Sequence, residues 1–225
     1  MSEKIVNLIE CFRSFQGEGP DSGRSMYILR FKTCNRNCYW CDTSVKMRIS
    51  VEAPYKVSDI QKLLYEHSSG ILVTGGEPTV PKHFDEAVTL FNELKYPIAN
   101  LETNGYALYE LIGEVIPTKP VKFIFSPKIF TANDKYEAIN VLNKVAGHQN
   151  VFVKLVFEPN NEQLSSFIEY LLKEMQDLIK EQRIWLMPEG TNRADLIKNS
   201  AEVFDACEEY NFNFSSRSHI IFGFV

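Results

Sequence analysis

The amino-acid sequence predicts an α/β fold, and two observations carry that prediction. Short apolar runs rich in β-branched and aromatic residues recur at 26–31, 71–74, 98–102, 121–125, 151–157 and 184–187. Between several of them lie stretches whose apolar residues return with helical period. Strands that alternate with helices argue for a parallel sheet, because parallel neighbours need a crossover connection. Six such units fit 225 residues as one domain, 1–225, with no internal repeat, low-complexity tract or long linker. An open doubly wound sheet and an incomplete barrel both satisfy the pattern, and periodicity does not choose between them. In either, ligands gather at the C-terminal ends of the strands.

Three helical stretches stand out in order. From Ser58, read as an N-cap, apolar residues fall at Ile60, Leu63 and Leu64. Phe84, Ala87, Val88, Phe91 and Leu94 form a second stripe. Leu164, Phe167, Ile168, Leu171, Leu172, Met175 and Leu178 form a third, which reads as one long helix.

Composition excludes several classes. A chain that is 44% hydrophobic and 12% aromatic can bury a full core and is not disordered. Acidic residues outnumber basic ones, 29 to 24, so general nucleic-acid binding is not expected. No apolar run approaches the roughly 20 residues that span a bilayer. The opening MSEKIVNLIE carries both charge signs and does not read as a secretory signal. A cytoplasmic protein, away from membranes, is the expectation.

Five cysteines are present, and Cys34, Cys38 and Cys41 crowd into eight positions just after the first apolar run. Thiols that close are metal ligands more often than disulfide partners in a reducing compartment. Cys11 and Cys207, among apolar neighbours, read as buried structural thiols. Structural zinc wants four protein ligands, and the first histidine downstream is His67. A 4Fe-4S cluster usually takes four thiolates, so three leave one iron open to a small chelating molecule. The competing readings are a zinc site completed by a distant histidine, or three incidental thiols.

Cys-x3-Cys-x2-Cys with an aromatic residue before the last cysteine resembles the radical S-adenosylmethionine (SAM) superfamily. The wider pattern resembles its 7-carboxy-7-deazaguanine synthase family, ring-contracting enzymes of the queuosine (7-deazapurine) pathway. The matching blocks are Phe15-Gln16-Gly17-Glu18-Gly19, Gly23-Arg24, Leu29-Arg30-Phe31, Cys34-Asn35 and Trp40-Cys41-Asp42-Thr43. Further on come Thr74-Gly75-Gly76-Glu77-Pro78, Glu102-Thr103-Asn104-Gly105 and Ser126-Pro127-Lys128. They run nearly end to end in the family's order.

The resemblance implies an incomplete (β/α)6-type parallel barrel with the cluster loop, 33–43, after its first strand. It implies a 4Fe-4S cluster on Cys34, Cys38 and Cys41, and Mg²⁺ on Thr43, a hard ion suited to one protein oxygen among waters and substrate oxygens. Asp42 has the plainer option of capping the next turn. Thr74, Gly75, Gly76 and Glu77 end an apolar strand, where glycines admit close backbone approach and Glu77 offers an acceptor for an ammonium group. By resemblance this loop holds the methionyl amine of SAM. Glu102 and Asn104 would take the nucleoside, and Ser126, Pro127 and Lys128 would complete the cofactor contacts. The substrate implied is 6-carboxy-5,6,7,8-tetrahydropterin, converted to 7-carboxy-7-deazaguanine with loss of ammonia. Phe15, Gln16, Gly17 and Thr74 would line it, with Glu18 behind them. Arg30 would pair bidentately with its carboxylate, against the plainer reading of a surface salt bridge. An external flavodoxin-like electron donor and a homodimer are further implications. Lys154, in the following strand, reads as facing the same cleft or, as an isolated lysine in a strand more often is, as solvated; His67, His83 and His148 read as structural or solvated. No histidine–carboxylate pair is spaced for acid–base work.

The last third departs from the family. Met187, Pro188 and Glu189 stand where Gln-Pro is common, as cofactor contacts. Arg217 stands at a glutamine position, while His219 fits. The tail, 212–225, expected to close the substrate pocket, ends on Val225 rather than a proline. Two other functions share parts of the pattern. A glycyl-radical activase would carry the same cluster loop, but the Gln16–Gly19 block with Arg30 favours a small substrate. A non-catalytic metal protein leaves the open coordination position and the Thr74–Pro78 loop unexplained.

Overall fold

The structure, a computed structural model, describes residues 3–67 and 69–224. The chain forms two compact units. One comprises Met1–Gln16 and Arg24–Phe123, the other Gly17–Gly23 and Ile124–Val225.

In the first unit, β1 (Ile5–Leu8) pairs antiparallel with β4 (Ala53–Lys56) in a two-stranded sheet. The larger sheet runs β2 (Glu10–Phe15), β3 (Ser25–Phe31), β5 (Gly70–Gly75), β6 (Ala99–Thr103). β2 is antiparallel to β3, while β3, β5 and β6 are parallel. Crossovers pass through α1 (Ser44–Ile49), α2 (Val57–His67) and α3 (Phe84–Glu93), and α4 (Leu108–Glu114) follows β6. The parallel strands are buried on both faces, which is why they read as continuous apolar runs. Leu29, Phe31, Ile71, Val73, Ala99 and Leu101 occupy one face, each with no exposed surface. Met26, Ile28 and Leu72 cluster on the other, with Phe12 and Ile98 against them.

β7 (Val121–Phe125) contains the division between units. In the second unit β8 (Val151–Phe157), β9 (Ile184–Pro188) and β10 (Asn213–Phe214) are parallel. They are joined by α6 (Glu162–Glu174), α7 (Gln176–Lys180) and α8 (Arg193–Tyr210), with α5 (Ala132–Val145) before β8 and α9 (Ser218–Phe222) last. Side chains fix the helix starts. Thr131 and Asp134 form a capping box on α5, and Asn161 and Asn192 cap α6 and α8 by accepting from Leu164 and Asp195 amides. Leu164, Phe167, Ile168 and Leu171 bury the inner face of α6, each contributing about 1.5–3 kcal/mol by leaving water.

The six predicted strands are all present, as β3 and β5–β9. Two helix readings are corrected. α2 begins at Val57, whose amide donates to the Lys4 carbonyl at 3.0 Å, so Ser58 lies within its first turn rather than capping it. The third stripe is two helices, broken at Met175, whose φ of −117° and ψ of 42° leave the helical region. Cys207 is buried as expected, but Cys11 is only half-buried. Among the described residues no helix is long and apolar enough to cross a membrane.

Candidate active site

In the first unit, the loop carrying Cys34, Cys38 and Cys41 leaves the end of β3. All three are half-buried thiols. The Cys34 sulfur accepts from the Arg36 amide at 3.4 Å, the Cys41 amide donates to the Cys38 carbonyl at 3.3 Å, and Cys41 Sγ lies 3.5 Å from Thr43 Oγ1. Three soft donors from one short irregular loop suit an iron–sulfur cluster by ligand chemistry. The hydroxyl of Thr43 thus stands directly beside the third thiol, and Asp42 is exposed.

The end of β5 packs against that loop backbone to backbone. The Gly76 amide donates to the Phe31 carbonyl at 3.0 Å, and the Glu77 amide to the Thr33 carbonyl at 2.8 Å. A Cβ on Gly75 would lie 2.2 Å from the Phe31 oxygen, and one on Gly76 2.3 Å from the Thr33 oxygen. Only glycine allows this approach, and Gly75, at φ +132°, is also in a region other residues avoid.

Glu77 is buried. Its Oε1 accepts from the Thr79 amide and hydroxyl and the Thr103 hydroxyl, and its Oε2 from the Asn104 amide at 2.5 Å. Burial pushes this carboxyl upward, and the hydrogen bonds from Thr103, Asn104 and Thr79 pull it back. The side chain therefore ties the ends of β5 and β6 together. Asn104 extends the tie by donating through Nδ2 to Asn35 Oδ1 in the cluster loop at 2.8 Å. Glu102 accepts from Gln16 Nε2 at 3.1 Å, which brings two predicted site residues together across 86 positions. Arg30 stands beside Thr74 in the β3–β5 register, and its Nε donates to Glu10 Oε2 at 2.7 Å. Phe15 is exposed at the end of β2.

In the second unit, the Gly17–Glu18–Gly19 segment is woven into the C-terminal segment. The Gly17 carbonyl accepts from the Ser218 amide at 2.9 Å, and the Gly19 amide donates to Ser215 Oγ at 3.0 Å. Glu18 is buried between two cations. Lys154 Nζ donates to its Oε2, Arg217 Nε donates to its Oε1 at 3.1 Å, and His219 Nε2 lies 3.8 Å from Oε1. Burial works to raise the Glu18 carboxyl, but the charges of Lys154, Arg217 and His219 outweigh it and hold the group far below the ordinary carboxylate range. Arg217, itself at φ +53°, also donates through Nη1 to the Gly190 carbonyl at 2.6 Å. Lys128 Nζ donates to Ser126 Oγ at 2.8 Å beyond β7, with Pro127 buried between them. Met187 and Pro188 close β9 as buried residues, and Glu189 follows half-buried. Val225 lies outside the described residues.

Two readings change. Lys154 is not solvated: it is 2% exposed and bonded to Glu18. The signal was its position inside VFVKLVF, an apolar run that reads as buried on both faces, where a lysine must find a buried partner. A histidine and a carboxylate do approach one another, as His219 and Glu18, which are 201 positions apart and invisible to local spacing.

Comparison with known proteins defines the class first. The radical SAM superfamily profile matches residues 28–198, and the chain belongs to that superfamily. The 7-carboxy-7-deazaguanine synthase of Haemophilus influenzae is 32% identical over 76% of this chain and 72% of its own length. That of Halobacterium salinarum is 28% identical over 94% of this chain and 88% of its own. The fold matches the crystal structure of QueE from Escherichia coli with a TM-score of 0.59 at 18% identity, covering 93% and 92% of the two chains. Within the superfamily, this chain belongs to the 7-carboxy-7-deazaguanine synthase family, and it is an enzyme of the radical SAM lyase kind. The α/β radical SAM fold expected from the sequence is the fold it has.

Proposed function

We propose that this chain converts 6-carboxy-5,6,7,8-tetrahydropterin to 7-carboxy-7-deazaguanine with loss of ammonia, acting over 1–225 as one radical SAM domain whose segment 212–225 closes the substrate pocket. The observation that carries the reading is the seating of the Gly75–Gly76 backbone on the cluster loop, too close for any Cβ. A loop built that tightly beside three thiols suits a ligand shared by both. When bound, the reduced 4Fe-4S cluster and SAM supply a carbon-centred radical able to take hydrogen from an unactivated C–H bond.

The remaining tasks fall to the chain's own groups. Cys34, Cys38 and Cys41 hold the cluster. Glu77 spends its oxygens on Thr79, Thr103 and Asn104, so it positions the loop and leaves the methionyl amine to backbone acceptors at Thr74, Gly75 and Gly76. Glu102, oriented by Gln16, accepts from ribose hydroxyls. Asn104, Ser126, Pro127, Lys128, Met187, Pro188 and Glu189 complete the cofactor side. Phe15, Gln16, Gly17 and His219 are left to the pterin, and Glu18, kept as a carboxylate by Lys154 and Arg217, acts behind them as a positioning group. Arg30, with Nε given to Glu10, offers its Nη groups to the substrate carboxylate. Arg217 belongs to the same substrate side, and Thr43 ligates Mg²⁺. The enzyme works in the cytoplasm as a homodimer with a flavodoxin-like donor.

Anaerobic binding of 6-carboxy-tetrahydropterin, compared with 6-methyl-tetrahydropterin, tests the substrate reading. Binding that requires the carboxylate and is lost in Arg30→Gln supports it. Equal binding of both pterins, or of neither, refutes it.

A further inference from the structure

We propose that His83 is a positioning residue for the cluster loop, holding the amide of Thr33, the residue that leads into Cys34. The inference rests on the reading of Cys34, Cys38 and Cys41 as cluster ligands.

His83 has no exposed surface and stacks on Phe31, ring centroids 4.7 Å apart at 24°. Its Nε2 accepts from the Thr33 amide at 3.0 Å. Thr33 immediately precedes the first cysteine, and its carbonyl accepts from the Glu77 amide at 2.8 Å. Both backbone hydrogen-bonding groups of Thr33 are therefore gripped by one connection, the stretch from Glu77 to His83 that leads into α3. The acceptor role assigns the ring state: with a lone pair on Nε2, the imidazole is neutral and its proton sits on Nδ1. Burial favours that neutral form. On the Nδ1 side stands Glu86 Oε2 at 3.8 Å, and Glu86 Oε1 is itself held by the amide and side chain of Asn7, at 3.0 and 2.6 Å. The 3.8 Å separation is too long for a hydrogen bond, so the Thr33 amide is the group that His83 holds.

A histidine that merely filled the core would need its ring and nothing more. Here the ring nitrogen supplies the acceptor for a half-buried amide where the chain leaves β3. Groups that orient metal-bearing elements from behind typically change metal retention by about tenfold or more when removed.

The test uses the full chain, reconstituted anaerobically with iron and sulfide and then challenged with excess of a ferrous-iron chelator. His83→Phe keeps the stacked ring and loses the acceptor, whereas His83→Gln carries an acceptor of similar reach. The expected result is iron release about tenfold faster in His83→Phe, a rate restored to within about twofold in His83→Gln, and a metal-free melt lowered by about 2–8 °C in His83→Phe, where the Thr33 amide has lost its acceptor, and recovered in His83→Gln. Release from His83→Phe at the wild-type rate overturns the proposal, as does a large fall in its metal-free melt that His83→Gln does not repair. In parallel, ¹⁵N spectra of the wild-type metal-free protein report the His83 tautomer. A proton on Nδ1 agrees, and a proton on Nε2 overturns the proposal even if His83→Phe fails to fold. If the wild type takes up no iron–sulfur cluster, the cluster reading falls, and the tautomer still decides whether His83 grips Thr33.

Discussion

Replacing Lys154 by methionine keeps most of the side chain's volume and removes its charge from beside Glu18. The lysine is 2% exposed, and its partner carboxylate is nearly as buried. Breaking a buried ion pair from one side costs about 3–5 kcal/mol, because the other charge is left without compensation. Arg217 Nε stays 3.1 Å from the second Glu18 oxygen, so the loss falls at the low end, about 3 kcal/mol. For a chain of this size each kcal/mol moves the melting temperature by about 2–4 °C, which gives a fall of roughly 6–12 °C. Thermal melts of the metal-free protein at pH 7 read it directly.

The pH dependence adds a second check with a definite sign. Glu18 is held well below its unfolded value of 4.5, since the attraction of Lys154, Arg217 and His219 exceeds the cost of burial. A depressed carboxylate contributes stability that is fully present above its unfolded pKa and is lost as pH falls toward its folded one. The stability that Glu18 contributes to the wild type is therefore fully present above about pH 4.5 and falls as pH drops below it. A variant that melts within about 2 °C of wild type at pH 7 refutes the reasoning and returns Lys154 to the surface role its isolation suggests.

Three further substitutions follow from the same geometry. Gly76→Ala places a methyl group 2.3 Å from the Thr33 oxygen, so the backbone must shift, at a cost of about 1–3 kcal/mol; SAM binding by equilibrium dialysis weakens at least about tenfold, and unchanged binding contradicts the close approach. Glu77→Gln sets an amide NH₂ where the carboxylate accepts from Thr103, Thr79 and Asn104. One buried donor then faces another, and a denaturant titration shows a loss of about 1–3 kcal/mol. Arg217→Gln removes the guanidinium that bonds Glu18 and Gly190 together, which costs about 2 kcal/mol; amide exchange speeds up around Ser215 and Ser218, and protection equal to wild type argues against Arg217 holding the C-terminal segment in place.

The central strands were legible in the sequence because parallel strands are apolar on both faces, so 121–125 and 151–157 match β7 and β8 to the residue. β1 escaped because its alternation spans only four residues, and β2 and β4 because they are half-exposed along most of their length. Met175 is apolar and fits the helical stripe, so the break it makes between α6 and α7 is a matter of backbone angles that periodicity does not carry. The cysteine loop was legible for a different reason: ligands that lie close in sequence leave a spacing. Glu18 and Lys154 are 136 positions apart, and Thr33 and His83 are 50 apart. Such pairs become visible only when the chain has folded, and a titratable residue embedded in an apolar run is the trace they leave in sequence.

The measurement that tests the central claim most directly is anaerobic turnover of the reconstituted enzyme with SAM, Mg²⁺, reductant and 6-carboxy-5,6,7,8-tetrahydropterin, followed by mass spectrometry. The account predicts 7-carboxy-7-deazaguanine and ammonia in equal amounts, both abolished in Cys38→Ala. Formation of 5′-deoxyadenosine with the pterin untouched would contradict the substrate assignment and leave only the radical machinery standing.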